Sequence, residues 1–158
     1  MRKTTSIFIF ALLIFTLSCF ITTYASDTSA KESLAVNEEI LNLINQNRAS
    51  NGLAPLFPDE HLTLVSDTRV HEITRSFSHT RPDGRRYSTV FADSHIEYQY
   101  CGEILAYGFQ TPKQVVTAWM ESPGHHDAIL SPHYTHVGIS HIIANNHLDY
   151  WAVEFLSR

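Results

Sequence analysis

Apolar residues in the first part of the chain recur at a helical spacing. Val36, Ile40, Leu43 and Ile44 lie three or four positions apart or adjacent along one face, as in an amphipathic α-helix. Gly52 follows a polar stretch, and glycine commonly occupies the position just beyond a helix end. The pattern therefore predicts a first helix that stops near Gly52.

Proline and capping residues mark the starts of three further helices. The second is predicted to start near Pro58 and an acidic first turn, and its apolar positions continue to Phe77. Thr111 and Ser122 are each followed directly by proline, which is the N-cap and first-position arrangement of a helix. These two signals predict a third helix and a short fourth helix that ends at Leu130.

Near the C-terminus the spacing changes to alternation. Val137, Ile139 and His141 alternate with smaller residues, and residues 150–156 alternate between two faces. Asn145 and its neighbour Asn146 can form the turn between them. A C-terminal hairpin that follows several helices indicates an α+β domain in which helices cover a sheet.

The N-terminal segment has the layout of a signal peptide. Arg2 and Lys3 precede an apolar run over residues 7–21, and Ala25 ends a small-residue cleavage site. We expect residues 1–25 to be removed, because the run is shorter than the 18 or so apolar residues of a membrane span. Lipidation of Cys19 is the alternative, and it would keep the protein on a membrane.

The remaining 133 residues suffice for one hydrophobic core. Residues 26–33 are small and polar and predict a flexible lead-in, so the domain is expected to cover residues 34–158. Without its first 25 residues the chain has 9 basic and 16 acidic side chains, a net charge of −7. This balance, with no basic cluster, argues against nucleic acid and anionic membranes as partners, and we expect a soluble monomer after cleavage. Cys101 is then the only cysteine, so no intramolecular disulfide can form.

Four short motifs occur in a fixed order along this domain. They are Phe-Ser-His-Thr-Arg-Pro-Asp-Gly at 77–84, Gly-Glu-Ile at 102–104, Trp-Met-Glu-Ser-Pro-Gly-His at 119–125 and His-Tyr-Thr-His-Val-Gly at 133–138. The ordered set resembles the CAP superfamily of cysteine-rich secretory proteins, antigen 5 and pathogenesis-related proteins, and especially its short cysteine-poor bacterial branch. The resemblance covers about residues 34–156.

This resemblance implies a three-layer α-β-α sandwich with a central antiparallel sheet and a cleft lined by His and Glu. The motif positions assign His79, Glu103 and His133 to that cleft. Eukaryotic relatives carry a second cleft Glu where this chain has Ser122, and Glu121 lies one residue earlier. The further cleft candidates are His125, His136, Glu121 and Ser122.

Two imidazoles and a carboxylate that converge could bind Zn²⁺ with water as the fourth ligand. We expect any such binding at His79, His133 and Glu103 to be modest and to weaken below about pH 6, as the imidazoles gain protons. No cofactor is required by the sequence. The structural alternatives are a loop-tethering His79, a hydrogen-bonded Glu103 and a His125 that bridges backbone segments. Cys101 is interpreted as a small buried hydrophobe.

The sequence favours a secreted binding or effector module over an enzyme. It contains no His-Glu-x-x-His helix and no nucleophile elbow. Partners expected for such a module are a small ligand, a lipid or a surface protein. The alternative is a hydrolase in which water is activated by a metal on His79 and His133, or by Glu103 as the base.

Overall fold

The computed structural model describes residues 31–158. The predicted signal peptide, Cys19 and most of the predicted lead-in lie outside these residues, whereas residues 31–33 of the lead-in are helical. Residues 36–158 form one compact unit, and residues 31–35 belong to a second unit at the N-terminal end. Within the described residues, no helix has the length and apolar character needed to cross a bilayer.

Helix α1 covers residues 31–50. Its apolar face carries Ile40 and Ile44, which are fully buried. The helix ends as predicted, because Gly52 takes a positive φ of 72° and the Leu53 backbone N–H donates to the Arg48 carbonyl. The chain then forms the short strand β1 (Phe57–Pro58).

Helix α2 (Glu60–Ile73) starts one residue after its N-cap, Asp59, whose side chain accepts a hydrogen bond from the Leu62 N–H. A second helix was therefore predicted correctly, but both of its predicted ends were wrong. Pro58 belongs to β1, and the helix ends at Ile73 rather than continuing to Phe77. Phe77 instead packs edge-on against the Tyr107 ring, with the ring centroids 4.6 Å apart.

The residue patterns along the chain did not predict helix α3 (Thr89–Asp93) or strand β2 (Tyr100–Tyr107). Helix α4 (Pro112–Glu121) has Thr111 as its N-cap, and α5 (Pro123–Ile129) follows with Ser122 as its N-cap. Both starts are where the capping pattern predicts them. Strands β3 (His136–Ile143) and β4 (Asp149–Ser157) form the predicted C-terminal hairpin.

The four strands form one sheet in the order β1-β3-β4-β2. The pairs β3–β4 and β4–β2 are antiparallel, and the two-residue β1 pairs in parallel with β3. Side chains from α1, α4 and α5 pack on one face of this sheet, around Trp119, Val153 and Phe155. Helix α2 covers the opposite face. The result is the expected α+β fold, with helices on both faces of a predominantly antiparallel sheet.

Helix α2 approaches the sheet closely at Gly138 of β3. A Cβ atom at this position would lie 2.2 Å from the Leu62 carbonyl oxygen of α2. Only the absence of a side chain lets the two backbones pack at this distance. Gly138 therefore sets the distance between α2 and the sheet. This distance in turn sets how close the inward-facing side chains of α2 come to the sheet.

Candidate functional site

His79 and Glu103 form a hydrogen-bonded pair. His79 lies in the loop after α2, and Glu103 is the fourth residue of β2. The His79 Nδ1–H donates to the Glu103 Oε1 atom at 2.7 Å. The Glu103 side chain is fully buried, whereas the His79 side chain is 56% exposed. The pair therefore joins a buried carboxylate to an imidazole at the surface.

Arg69 of α2 holds the carboxylate in place. Its Nε and Nη2 atoms donate to the two oxygens of Glu103, at 2.5 and 3.2 Å. The same Nη2 atom donates to the Ser78 carbonyl at 2.9 Å, which fixes the backbone immediately before His79. One buried guanidinium thus positions both members of the His79–Glu103 pair, in the two-pronged geometry that suits Arg and carboxylate.

A series of ion pairs connects Arg69 to the loop that carries His79. Glu72 accepts from Arg69 and also from Arg81, whose Nη2 lies 2.7 Å from the Glu72 Oε1. Arg81 in turn donates to Asp93 at the end of α3, at 2.6 Å. Arg81 is nearly buried although it lies in a loop. These contacts hold the loop between α2 and α3 against both helices, so His79 is supported from two sides.

The electrostatics follow from burial and from these bonds. Burial alone would raise the pKa of Glu103, but the hydrogen bonds from His79 and Arg69 outweigh it and hold that pKa below its usual value. Burial likewise opposes the charge on Arg69, and its bond to Glu103 keeps the Arg69 pKa raised. Glu103 is therefore an anion at neutral pH.

His125 is the second imidazole at this position. It lies in α5 and is partly buried. Burial lowers the pKa of His125, and the charge of the nearby His79 lowers it further. Its neighbour His126 contacts Asp127 instead, with Nδ1 and Oδ1 3.3 Å apart. Of these two adjacent histidines, His125 is therefore the one whose pKa is influenced by His79.

His133 lies beside β2 near its first residue. Its exposed ring stacks on Tyr100, with centroids 4.4 Å apart, and its backbone N–H donates to the Ser131 hydroxyl. Glu103 accepts side-chain hydrogen bonds from Arg69 and His79, and His133 is not among these donors. Within residues 31–158, no group of three or more His, Cys, Asp or Glu side chains is arranged to hold a metal ion.

The profile of the cysteine-rich secretory protein family, CAP, matches residues 41–155. The chain belongs to the CAP family. It is 31% identical over 134 residues to the uncharacterized protein YkwD of Bacillus subtilis, covering 83% of this chain and 51% of YkwD. The present chain thus spans about half the length of that relative.

Solved structures of bacterial proteins share the CAP fold. One is an extracellular protein with an SCP domain from Bacillus anthracis, with a TM-score of 0.72 and 19% identity over 80% of this chain and 41% of that one. Another is an outer surface protein of Borrelia burgdorferi, with a TM-score of 0.67 and 25% identity over 73% of this chain and 86% of that one. These likenesses confirm the α-β-α architecture.

The other cleft candidates of this CAP domain have different surroundings. Glu121 is exposed and lines a depression along α4 together with Phe109, Gln114 and Thr117. Ser122 caps α5, and its carbonyl accepts from the His126 N–H. His136 starts β3, where its Nδ1 lies 2.8 Å from the Thr135 hydroxyl. None of these contacts involves the His79–Glu103 pair.

Glu103 lies inside strand β2, whereas His79 and His133 lie in the segments that follow α2 and α5. Cys101, two residues before Glu103, is only partly buried, and its Sγ lies 3.9 Å from the Tyr87 hydroxyl. The site is therefore built on the sheet itself, with only the histidines supplied by loops and a short helix.

Sequence reasoning also missed two buried charged positions, Arg69 and Glu154. Arg69 lies on the inner stripe of α2, between the buried Val65 and Ile73. Glu154 lies within the alternating pattern of β4 and is fully buried. Each was detectable as a charged residue at a position that the periodicity assigns to the interior.

Proposed function

We propose that this CAP domain is a secreted binding or effector module whose ligand hydrogen-bonds to the imidazole of His79. One observation carries the proposal: a buried carboxylate held by Arg69 accepts the Nδ1–H of a half-exposed histidine. This bond fixes the tautomer and the ring orientation, and it leaves Nε2 as an acceptor toward a ligand.

Binding is favoured over catalysis because Glu103 is poorly suited to act as a base. Its two oxygens accept from Arg69 and His79, and these bonds hold its pKa below the usual range. A general base for water works best with a pKa near the operating pH. Because these bonds stabilise the anion, Glu103 is suited to orient His79 and is poorly suited to accept a proton from water.

Secretion is supported by the sequence layout and by the relatives. Residues 1–25 have the features of a signal peptide, and the solved relatives include an extracellular protein and an outer surface protein. A small ligand, a lipid or a surface protein are the partners that we propose for such a module. The net negative charge does not favour nucleic acid.

A hydrolase is the second candidate, and the His79–Glu103 geometry is what favours it. A carboxylate that orients an imidazole through Nδ1 leaves Nε2 able to take a proton, as in the carboxylate–histidine pairs of many hydrolases. His125 would be the adjacent imidazole. A zinc-assisted route fits less well, because Glu103 is engaged by Arg69 and His79 and the described residues offer no three-ligand group.

Replacing His79 with alanine is expected to abolish ligand-dependent stabilisation by any compound found in a thermal-shift screen of the exported protein. The physical reason is the loss of the oriented Nε2 acceptor, whereas the buried Arg69–Glu103 pair remains. His71→Ala is the matched control, since His71 is also an exposed histidine, on α2. Protein-observed NMR would measure the affinities.

Two results would separate the candidate functions. Turnover of a peptide or ester library that disappears in a His79→Ala, Glu103→Ala double variant would show that the domain is a hydrolase rather than a binding module. Ligand affinities that are the same in wild type and His79→Ala would remove the proposed binding role of His79.

A further inference from the structure

A second carboxyl group lies directly beside Glu103 in the sheet. Glu154 of β4 pairs in register with Glu103 of β2 on one side and with Gly138 of β3 on the other. Residues paired in register direct their side chains to the same face, and here that face lies under α2. The whole of residue Glu154 is inaccessible to solvent.

Neither carboxyl oxygen of Glu154 has a hydrogen-bond partner among the described residues. The charged and titratable groups that face it are Glu103 and Cys101 of β2, Arg69 of α2 and Tyr87 before α3. The donors of Arg69 are directed to Glu103, Glu72 and the Ser78 carbonyl. An ionised Glu154 would therefore be a buried anion with no donor, next to another buried anion, which is strongly unfavourable.

A single proton removes this conflict. Two ionised carboxylates can only accept hydrogen bonds, whereas a neutral carboxyl group has one O–H donor. Glu103 is stabilised as the anion by Arg69 and His79, so the proton belongs on the group without such donors. We propose that Glu154 is held as a neutral carboxylic acid that donates its hydroxyl hydrogen to Glu103, and that it thereby positions the carboxylate that orients His79.

The electrostatic balance agrees with this geometry. Burial, followed by the negative charge of Glu103, raises the pKa of Glu154 well above its usual value. The hydrogen bond from Glu154 helps to lower the pKa of Glu103, after the bonds from His79 and Arg69. Glu154 is thus a positioning residue that acts through Glu103. The inference depends on the His79–Glu103 pair but not on any ligand or reaction, so it can fail independently of the proposed function.

The direct test is carbon-detected NMR of the exported protein labelled at the glutamate carboxyl carbons. At pH 7 the Glu154 carboxyl carbon is expected at the shift of a neutral acid, and it should titrate well above the ordinary Glu value of about 4.3. Assignment through the backbone makes this measurement independent of any variant. An ionised Glu154 at pH 7 would overturn the proposal.

Unfolding as a function of pH gives a second test, with Glu154→Gln as the variant. A neutral Glu154 releases its proton on unfolding above about pH 4.3, so its contribution is complete below that pH and is lost as the pH rises toward its folded-state pKa. Relative to Glu154→Gln, the unfolding constant of wild type should increase about tenfold per pH unit in that range. Glu121→Gln, which removes an exposed carboxylate on α4, is the matched control variant. Parallel curves for wild type and Glu154→Gln would contradict the proposal.

A third measurement distinguishes positioning from simple packing. Glutamine can donate an amide hydrogen to Glu103, whereas leucine in Glu154→Leu fills space without donating. The carboxyl carbon of Glu103 should therefore titrate at a higher pH in Glu154→Leu than in wild type and near the wild-type pH in Glu154→Gln. Equal Glu103 titrations in wild type and Glu154→Leu would show that Glu154 does not act through Glu103.

Discussion

Replacing Arg69 with methionine is expected to destabilise the domain by about 3–5 kcal/mol, because it leaves the Glu103 anion buried without its main donor. Both side chains of the pair have no exposed surface, so water cannot replace the lost bonds. Methionine replaces the apolar stem of the arginine with a flexible side chain, which limits the loss of packing. Urea denaturation at pH 7 would measure the change in the free energy of unfolding.

An exposed pair is the control for this prediction. Arg85 bridges Asp83 and Asp93, and all three side chains are more than 40% exposed. Since exposed ion pairs are screened by water and contribute little, Arg85→Met should change the free energy of unfolding little. A loss in Arg69→Met no larger than that in Arg85→Met would contradict the view that a buried anion at Glu103 depends on Arg69.

The second large effect is expected for Gly138→Ala. The new Cβ would lie 2.2 Å from the Leu62 carbonyl oxygen and 2.6 Å from the Thr63 nitrogen, both backbone atoms of α2. Because a helix backbone cannot move aside as a flexible side chain can, we expect a loss near the upper end of overpacking effects, about 3 kcal/mol. Thermal and urea unfolding would measure it.

The same substitution should also disturb the site, because α2 carries Arg69. Moving α2 away from the sheet would lengthen the Arg69–Glu103 contacts, and this is measurable as a higher pKa of Glu103 in carboxyl NMR. Gly124→Ala is the matched control: nothing lies within 4 Å of its added Cβ, and it is helical. It should be neutral or stabilising by up to about 1 kcal/mol. Equal stability of both variants would show that the close approach of α2 is not needed.

Much of the fold could be predicted from local patterns. The starts of α4 and α5 are set by Thr111 and Ser122, each followed by proline, and both starts are confirmed. Gly52 was expected to end α1, and it does so with a positive φ. The hairpin of β3 and β4 followed from alternation. These features depend on residues that are close together along the chain, so they can be predicted from local sequence patterns.

The missed elements depend on distant residues. Strand β2 lies against β4 along its whole length, and its inner positions Ile104 and Glu103 are buried on opposite faces. A strand buried on both faces shows little alternation, so its sequence resembles any short apolar stretch. The end of α2 at Ile73 was missed because Phe77 is apolar, although it packs against Tyr107 outside the helix.

The sequence by itself determined the starts of α4 and α5, the C-terminal hairpin and the resemblance to the family, because capping, periodicity and ordered motifs are local. Only the tertiary structure decided that Arg69, 34 residues before Glu103 in the chain, holds that carboxylate. It also placed Glu154 next to Glu103 through the register of β2 and β4. The physical reason is that the charge state of a buried group depends on the donors and charges that surround it in space, and strand register and helix packing set those neighbours.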